Sequence, residues 1–385
     1  MQILFLSPAF PPTARDFCAA LAKHGVSVLG IGDEPLQADS VEARALTHYV
    51  FEPRMGEYQV LHDAVRALSD RFGRIDRVDS NGEHWLVAEA KLRDDFGIPG
   101  LSGAELARQR SKLSMADLFA RADIAYPPTV SAADGTAVRK LASKYGFPLV
   151  LKPDTGSGAV DTLSVHNEGE LSAELEREPF SKVAQPFVDA EIITYDGLTD
   201  REGQIIFSAA HVYDQGIMQV RRQQADGYYY SLRELPPGLE AAGRRAVAAF
   251  GVQERFFHIE FFRFPDGGLT ALEMNLRPAG GFTTDMMSAA AEVDIYDLWA
   301  RMMTGEPIAP RPFAPAFYTA HAGRRAGRKY AFTTEQLRAA LGDALFSERA
   351  VPPAFTATMG DVAYLLRHRE LESLKRAIAC VQAPG

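Results

Sequence analysis

The sequence predicts an α/β and α+β protein of several domains: a parallel α/β domain first, a compact α+β unit next, then an antiparallel sheet. Three observations carry this. Strand-like and helix-like segments alternate through the first hundred residues, a strand–helix–strand pattern runs from Thr129 to about Phe187, and a hairpin signature occupies 258–281. At 385 residues the chain is long enough for two or three domains.

The first strand is "MQILFLS", followed by the helix-like "TARDFCAALAKHG" and the strand "VSVLGIGD", with Gly25 placed to stop the helix. Alternation continues through "EYQVLHDAVRALSDRFG" to the strand "IDRVDS". No G-x-G-x-x-G follows the first strand, which argues against a dinucleotide site there. A break falls near "FGIPGLSG"; a helical stretch with Lys112 follows and ends at Pro127-Pro128. The next unit holds the helix "DGTAVRKLASKYG", the strand "FPLVLK", a glycine loop, and another strand and helix. The expected boundaries are 1–100, 101–187, 188–310, and a small mixed region at 311–385.

Composition is that of an ordinary soluble globular chain, 46% hydrophobic and 24% charged, and its net charge of −9 disfavours nucleic acid as a partner. The apolar start lacks a basic flank and is too short to span a membrane. Two cysteines, Cys18 and Cys380, give neither a disulfide framework nor zinc spacing, so a reducing cytoplasm and no membrane partner are expected. G-x-S-x-G, H-E-x-x-H and cysteine-centred catalytic motifs are absent.

In the hairpin, "HIEFFRFPDGGLTALEMNLRPAGG", Asp266-Gly267 is a strong turn signal. That turn pairs Phe264 with Leu269, hence Glu260 with Glu273, and His258 with Asn275. Glu273, Asn275 and Arg277 then share one face, while Thr270, Leu272, Met274 and Leu276 join Phe257, Ile259 and Phe261 on an apolar face. Opposed like charges destabilise a sheet, so a cation is needed. Two readings stay open: Arg263 and Arg277 neutralise a solvated face, or the acids hold a hard divalent ion. Mg²⁺ favours one or two carboxylates plus waters and substrate phosphates. His258 is either a neighbour of that ion or a hydrogen-bonded structural residue.

Elsewhere, Lys152 ends an apolar strand before Gly156-Ser157-Gly158, where backbone N–H groups and a point charge could meet phosphate. It is not a Walker A loop, and a plain hairpin loop is the alternative. In "AQPFVDAEIITYDGLT" an extended segment could bond an adenine edge, and a carboxylate could bond ribose hydroxyls. "VRRQQADGYYYS", with Arg221, Arg222 and Tyr228 to Tyr230, reads as a partly packed loop or a cover over a substrate; "SNGEHW" reads as a turn or part of an interdomain cleft.

The order of these pieces (helix lysine, strand-end lysine before a glycine loop, hinge with a glutamate, then Glu…Glu-x-Asn-x-Arg) resembles the ATP-grasp superfamily over roughly 98–305. "FGIPGLSGAELARQRSKLSMADLF" is similar to its linker and first ATP-lysine helix. "HIEFFRF…LTALEMNLRPAGG" resembles the metal-binding hairpin of carboxylate–amine ligases and biotin-carboxylase-like members. The resemblance implies a Rossmann-like N-terminal domain, then an ATP-grasp fold with a lid and a catalytic subdomain. It implies ATP and Mg²⁺ (with Mn²⁺ as an alternative) as cofactors, Glu260, Glu273 and Asn275 as metal ligands, and Lys112 and Lys152 on the α- and β-phosphates. Gly156, Ser157 and Gly158 would form the lid loop, Gln185, Phe187 and Val188 the adenine hinge, and Glu191 the ribose contact. Arg277 would be catalytic and, with Gly280 and Gly281, would bind the acceptor. Ala159 and Asp161 depart from the family loop, and Gln185 stands where an acidic residue is common. The implied reaction forms an acyl phosphate from a small carboxylate and couples it to an amine, in a chain that could form homodimers. The alternatives are a bicarbonate-activating enzyme of the biotin-carboxylase kind, or an ATP-binding protein without ligase activity.

Overall fold

The computed structural model describes residues 1–385 except 157–160, 178–181, 217–219 and 221–224. Strands β1 (Gln2–Leu6), β2 (Ser27–Gly32), β3 (His48–Phe51) and β4 (Arg77–Asp79) form a parallel sheet in the order β3-β2-β1-β4. Ile3, Leu4, Phe5 and Leu6 are all buried, as expected for a parallel strand covered on both faces. The helix Ala14–Lys23 ends just before Gly25, which takes φ +72° as a stop signal should. The short β3 and the helix Val41–Ala45 were not anticipated, because neither carries a clear apolar period. β1 lies between β2 and β4, so the loops leaving β1 and β4 (7–13 and 80–85) flank the crevice where open α/β sheets bind ligands.

Helices Leu86–Phe96, Gly103–Arg110 and Lys112–Arg121 link this domain to a small antiparallel sheet. Its strands β5 (Val130–Ser131), β6 (Leu149–Pro153), β7 (Leu163–Val165) and β8 (Lys182–Pro186) run in the order β5-β8-β6-β7. The helix Gly135–Tyr145, capped by Asp134, packs against it.

The remaining strands are β9 (Glu191–Thr199), β10 (Ile205–Tyr213), β11 (Tyr228–Ser231), β12 (Phe256–Arg263), β13 (Leu269–Asn275), β14 (Tyr318–Arg324), β15 (Leu345–Ala350) and β16 (Val362–His368). They form one antiparallel sheet ordered β13-β12-β9-β10-β11-β14-β16-β15. Residues 311–385 thus add three strands to the sheet that holds the hairpin. One face presents Ile193, Tyr195, Val212, Ile259 and Phe261 to a core shared with helices Lys112–Arg121 and Leu239–Phe250. Along the strands, residues of the opposite parity (Thr194, Asp196, His211 and His258) are equally buried but polar. Among the described residues, no helix is long and apolar enough to cross a membrane.

The hairpin register pairs Glu260 with Glu273 and His258 with Asn275, as expected, but it arrives there differently. Leu269 pairs with Arg263, not Phe264. The turn has three residues, with Gly267 at φ +86° and the Phe264 N–H donating to the Gly268 carbonyl at 3.0 Å. A β-bulge then leaves Leu272 as an extra residue between the Glu260–Glu273 and Phe261–Ala271 pairs. The two one-residue offsets cancel at the acids. Beyond the bulge the parity reverses, so Ala271, rather than Leu272 or Thr270, joins Met274 and Leu276 in the core.

Candidate active site

The acid pair is enclosed by cations from elsewhere in the chain. Ser111 caps the helix Lys112–Arg121, and the Asp154 carboxylate accepts from Ser111 Oγ and the Leu113 N–H, both at 3.1 Å. This ties the helix start to the end of β6, where Lys152 lies. Lys112, only 3% exposed, donates to the Gly156 carbonyl at 3.0 Å and lies 3.7 Å from Glu273 Oε1. Burial lowers the Lys152 pKa to about 8, with Lys112 adding to the fall and Glu273 and Glu260 opposing it.

On the other side of the pair, His258 Nδ1 is 2.5 Å from Asp196 Oδ1, and its Nε2 is 3.2 Å from Glu260 Oε1. Both ring nitrogens face carboxylates, so both must donate and the ring is an imidazolium. Burial opposes this charge, but Asp196 and Glu260 hold the pKa up at about 9. Asp196 is fully buried and also contacts His211 Nδ1 at 2.7 Å and the Thr194 hydroxyl at 2.6 Å. Burial works against the charge of Glu260, yet His258 draws its pKa below the ordinary range. Burial raises Glu273, Lys112 pulls it back, and Glu260 adds to the rise. The two acids therefore differ in environment although they face each other.

Neither arginine proposed to neutralise the hairpin is bonded to these acids. Arg263 pairs with Glu191, and Arg277 donates from Nε to Glu83 Oε2 at 3.2 Å and from Nη1 to the Pro278 carbonyl at 2.7 Å. Compensation comes from Lys112, Lys152 and His258, with Arg277 acting on Glu260 through space. The face is not a solvated one, since Glu260 and Glu273 are only 18% and 14% exposed, and Arg263 is taken up by Glu191.

Asn275 is 4% exposed, and among the described residues its Nδ2 has no hydrogen-bond partner. That Nδ2 is an N–H donor and cannot hold a cation, but two carboxylates beside the Asn275 amide oxygen are an all-oxygen donor set of the kind a hard cation takes. No group of three or more His, Cys, Asp or Glu among the described residues forms a metal cage, so a cation here would complete its shell with phosphate and water.

The structure brings Lys112, Lys152, Gly156, Glu260, Glu273 and Asn275 together. Ser157 and Gly158, with Arg221 and Arg222, lie outside the described residues. Gln185 is buried and donates to Thr129 Oγ1 at 2.7 Å, while Phe187 is 42% exposed and its N–H donates to the Pro148 carbonyl. Val188 is half-buried beside it. The Glu191 carboxylate is engaged by Arg263. A Cβ on Gly280 would meet nothing within 4 Å, whereas Gly281 takes φ +69° and lies against Met359. Tyr229 stacks between Tyr213 and His321 and shares a 2.8 Å bond with Thr283. Asp196, His211, Asp154 and Glu83 were missed as site residues. A lone Asp in "IITYDGLT" and a lone His in "SAAHVY", each on an otherwise apolar strand, were the available signals.

These features belong to a fold of the ATP-grasp kind. The chain is similar over 97% of its length to an L-amino acid ligase from Bacillus licheniformis (TM-score 0.75, 15% identity, 95% of that chain). It also matches the biotin carboxylase domain of the Hydrogenobacter thermophilus 2-oxoglutarate carboxylase, solved with MgADP and bicarbonate (TM-score 0.72, 15% identity, 97% and 87% covered). In sequence it is 23% identical over 246 residues to the L-arginine-specific L-amino acid ligase of Bacillus subtilis, covering 59% of this chain and 57% of that one. The chain thus spans a little over half the length of the curated relatives it matches. No family model matches it.

Two predictions follow from the charge balance here. With Lys152 near 8, its charge is present below that pH and lost above it, so MgADP affinity should fall as pH rises through about 8. Isothermal titration across pH 7 to 9.5 reads this, and Lys152→Arg, which stays charged, should flatten the fall. His258→Ala leaves Asp196 and Glu260 buried without their shared cation and should cost roughly 3 kcal/mol of stability, read by urea unfolding. A loss near zero would show the imidazolium to be unimportant.

Proposed function

We propose that this protein is an ATP- and Mg²⁺-dependent carboxylate–amine ligase that works through an acyl phosphate. The observation that carries the reading is the convergence of Glu260, Glu273 and Asn275 with Lys112 and Lys152, which come from three separate segments, within this fold. Its similarity to amino acid ligases favours amino acids as substrates.

In this reading Lys112 and Lys152 hold the α- and β-phosphates, and Gln185, Phe187, Val188 and Glu191 form the adenine and ribose site. Glu191 would exchange its bond from Arg263 for ribose hydroxyls. Glu260, Glu273 and Asn275 would hold Mg²⁺, which neutralises charge on the phosphates when bound. Arg277 holds the acceptor carboxylate, with Gly280 and Gly281 leaving room at its side. The carboxylate oxygen attacks the γ-phosphorus, the bond to ADP breaks, and an amine then displaces phosphate from the acyl carbon. Such transfer depends on positioning and electrostatics more than on a protein nucleophile, consistent with a site built of cations and oxygen donors.

The test is to supply ATP, Mg²⁺ and pairs of amino acids, and to measure ADP and phosphate. Release that requires both a carboxylate and an amine supports the ligase; release that requires bicarbonate but no amine contradicts it. Glu273→Gln and, separately, Arg277→Ala should each lower turnover by about a hundredfold or more while thermal melting shows a folded protein. Wild-type rates in both would overturn the assignment.

A further inference from the structure

One acid in the cleft has no role in the reading above. Glu83 belongs to the N-terminal domain, in the loop after β4 at the crevice of the parallel sheet. It crosses to the ligase domains and bridges two arginines. Its Oε1 accepts from Arg110 Nη2 at 2.8 Å and Nε at 3.2 Å, and its Oε2 accepts from Arg277 Nε at 3.2 Å. Arg110 ends the helix Gly103–Arg110, two residues before Lys112. Arg277 leaves the end of β13, two residues beyond Asn275. Each guanidinium is therefore anchored in a segment that supplies the phosphate or metal side of the site.

The three side chains are between 14% and 23% exposed, so the cluster is reachable by solvent. In these bonds one carboxylate faces two guanidinium groups. Without Glu83 the arginines would repel each other, and Arg277 would lose its charged partner on the Nε side while keeping its bond to the Pro278 carbonyl. A planar guanidinium recognises carboxylate or phosphate only when its orientation is set.

We propose that Glu83 is a positioning residue that holds Arg110 and Arg277 as one paired-guanidinium site for the acceptor carboxylate and the acyl phosphate made from it. This rests on the acceptor role given to Arg277 above. It adds Arg110 to the acceptor site and makes that site depend on docking of the N-terminal domain. The opposite possibility is that Glu83 plugs Arg277 and must leave before an anion can bind. The two differ in sign. Removing a positioning residue weakens anion binding, and removing a plug strengthens it.

The probe is inorganic phosphate, the anion released at this position, titrated calorimetrically into full-length protein saturated with MgADP. Glu83→Gln keeps the shape and removes the charge. It should weaken phosphate binding by about tenfold or more while MgADP affinity stays within about twofold. Arg110→Met should do the same, and the double variant should be little worse than either single one, because both act through the same cluster. Glu83→Asp should recover part of the loss. Unchanged or tighter phosphate binding in Glu83→Gln, or no phosphate binding by the wild type, would overturn the proposal. Because this titration needs no turnover, it is independent of the ligase assay; turnover by the wild type with unaltered phosphate binding in Glu83→Gln would sink this inference alone.

Discussion

Two half-buried carboxylates facing each other across a hairpin are the constraint around which this molecule is arranged. Such a pair cannot stand unaided on a sheet. Each acid draws on a different partner: Glu260 on the His258 imidazolium, and Glu273 on Lys112, with Lys152 acting on both. The fold brings these partners in from the linker helix, the end of β6 and the first strand of the hairpin. Asp154 fastens the helix to the strand, so that the two lysines sit at fixed positions. The site depends on domains packed together, and no single segment would assemble it.

Asp196 extends the same logic one layer deeper. It lies in the middle of β9, fully buried, between the imidazoles of His211 and His258. The chain of contacts runs from His211 through Asp196 and His258 to Glu260. A buried network of this kind is most favourable when its members are satisfied; among the described residues His211 Nε2 is left without a partner, while the His258 contact turns one acid of the pair in a fixed direction.

Much of this was legible in the sequence. The alternation of the first hundred residues gave the parallel sheet, and Gly25 marked its first helix end. The Asp266-Gly267 signal gave the hairpin and the correct facing of Glu260 and Glu273. The path between them was not legible, because a three-residue turn and a β-bulge each shift the register by one and cancel at that pair. Which cations would oppose the acids was also hidden. Arg263 and Arg277 are near in sequence, but strand pairing gives one to Glu191 and domain docking gives the other to Glu83. Lys112 and Lys152 are distant in sequence and arrive through tertiary packing, which spacing does not record. "SNGEHW" reads as a turn or as part of an interdomain cleft, and nothing local in it singles out Glu83 or names its arginine partners.

If the acid pair is held apart by cations because it awaits a metal bridge to a nucleotide, then metal and nucleotide must bind together. The most direct measurement is ADP affinity of the wild-type protein by isothermal titration, with Mg²⁺ present and with Mg²⁺ removed by chelation. The account predicts that Mg²⁺ tightens ADP binding by about tenfold or more, since the ion would bond both the carboxylates and the phosphates. Equal affinity with and without Mg²⁺ would contradict it and leave the opposed glutamates as a structural ion cluster.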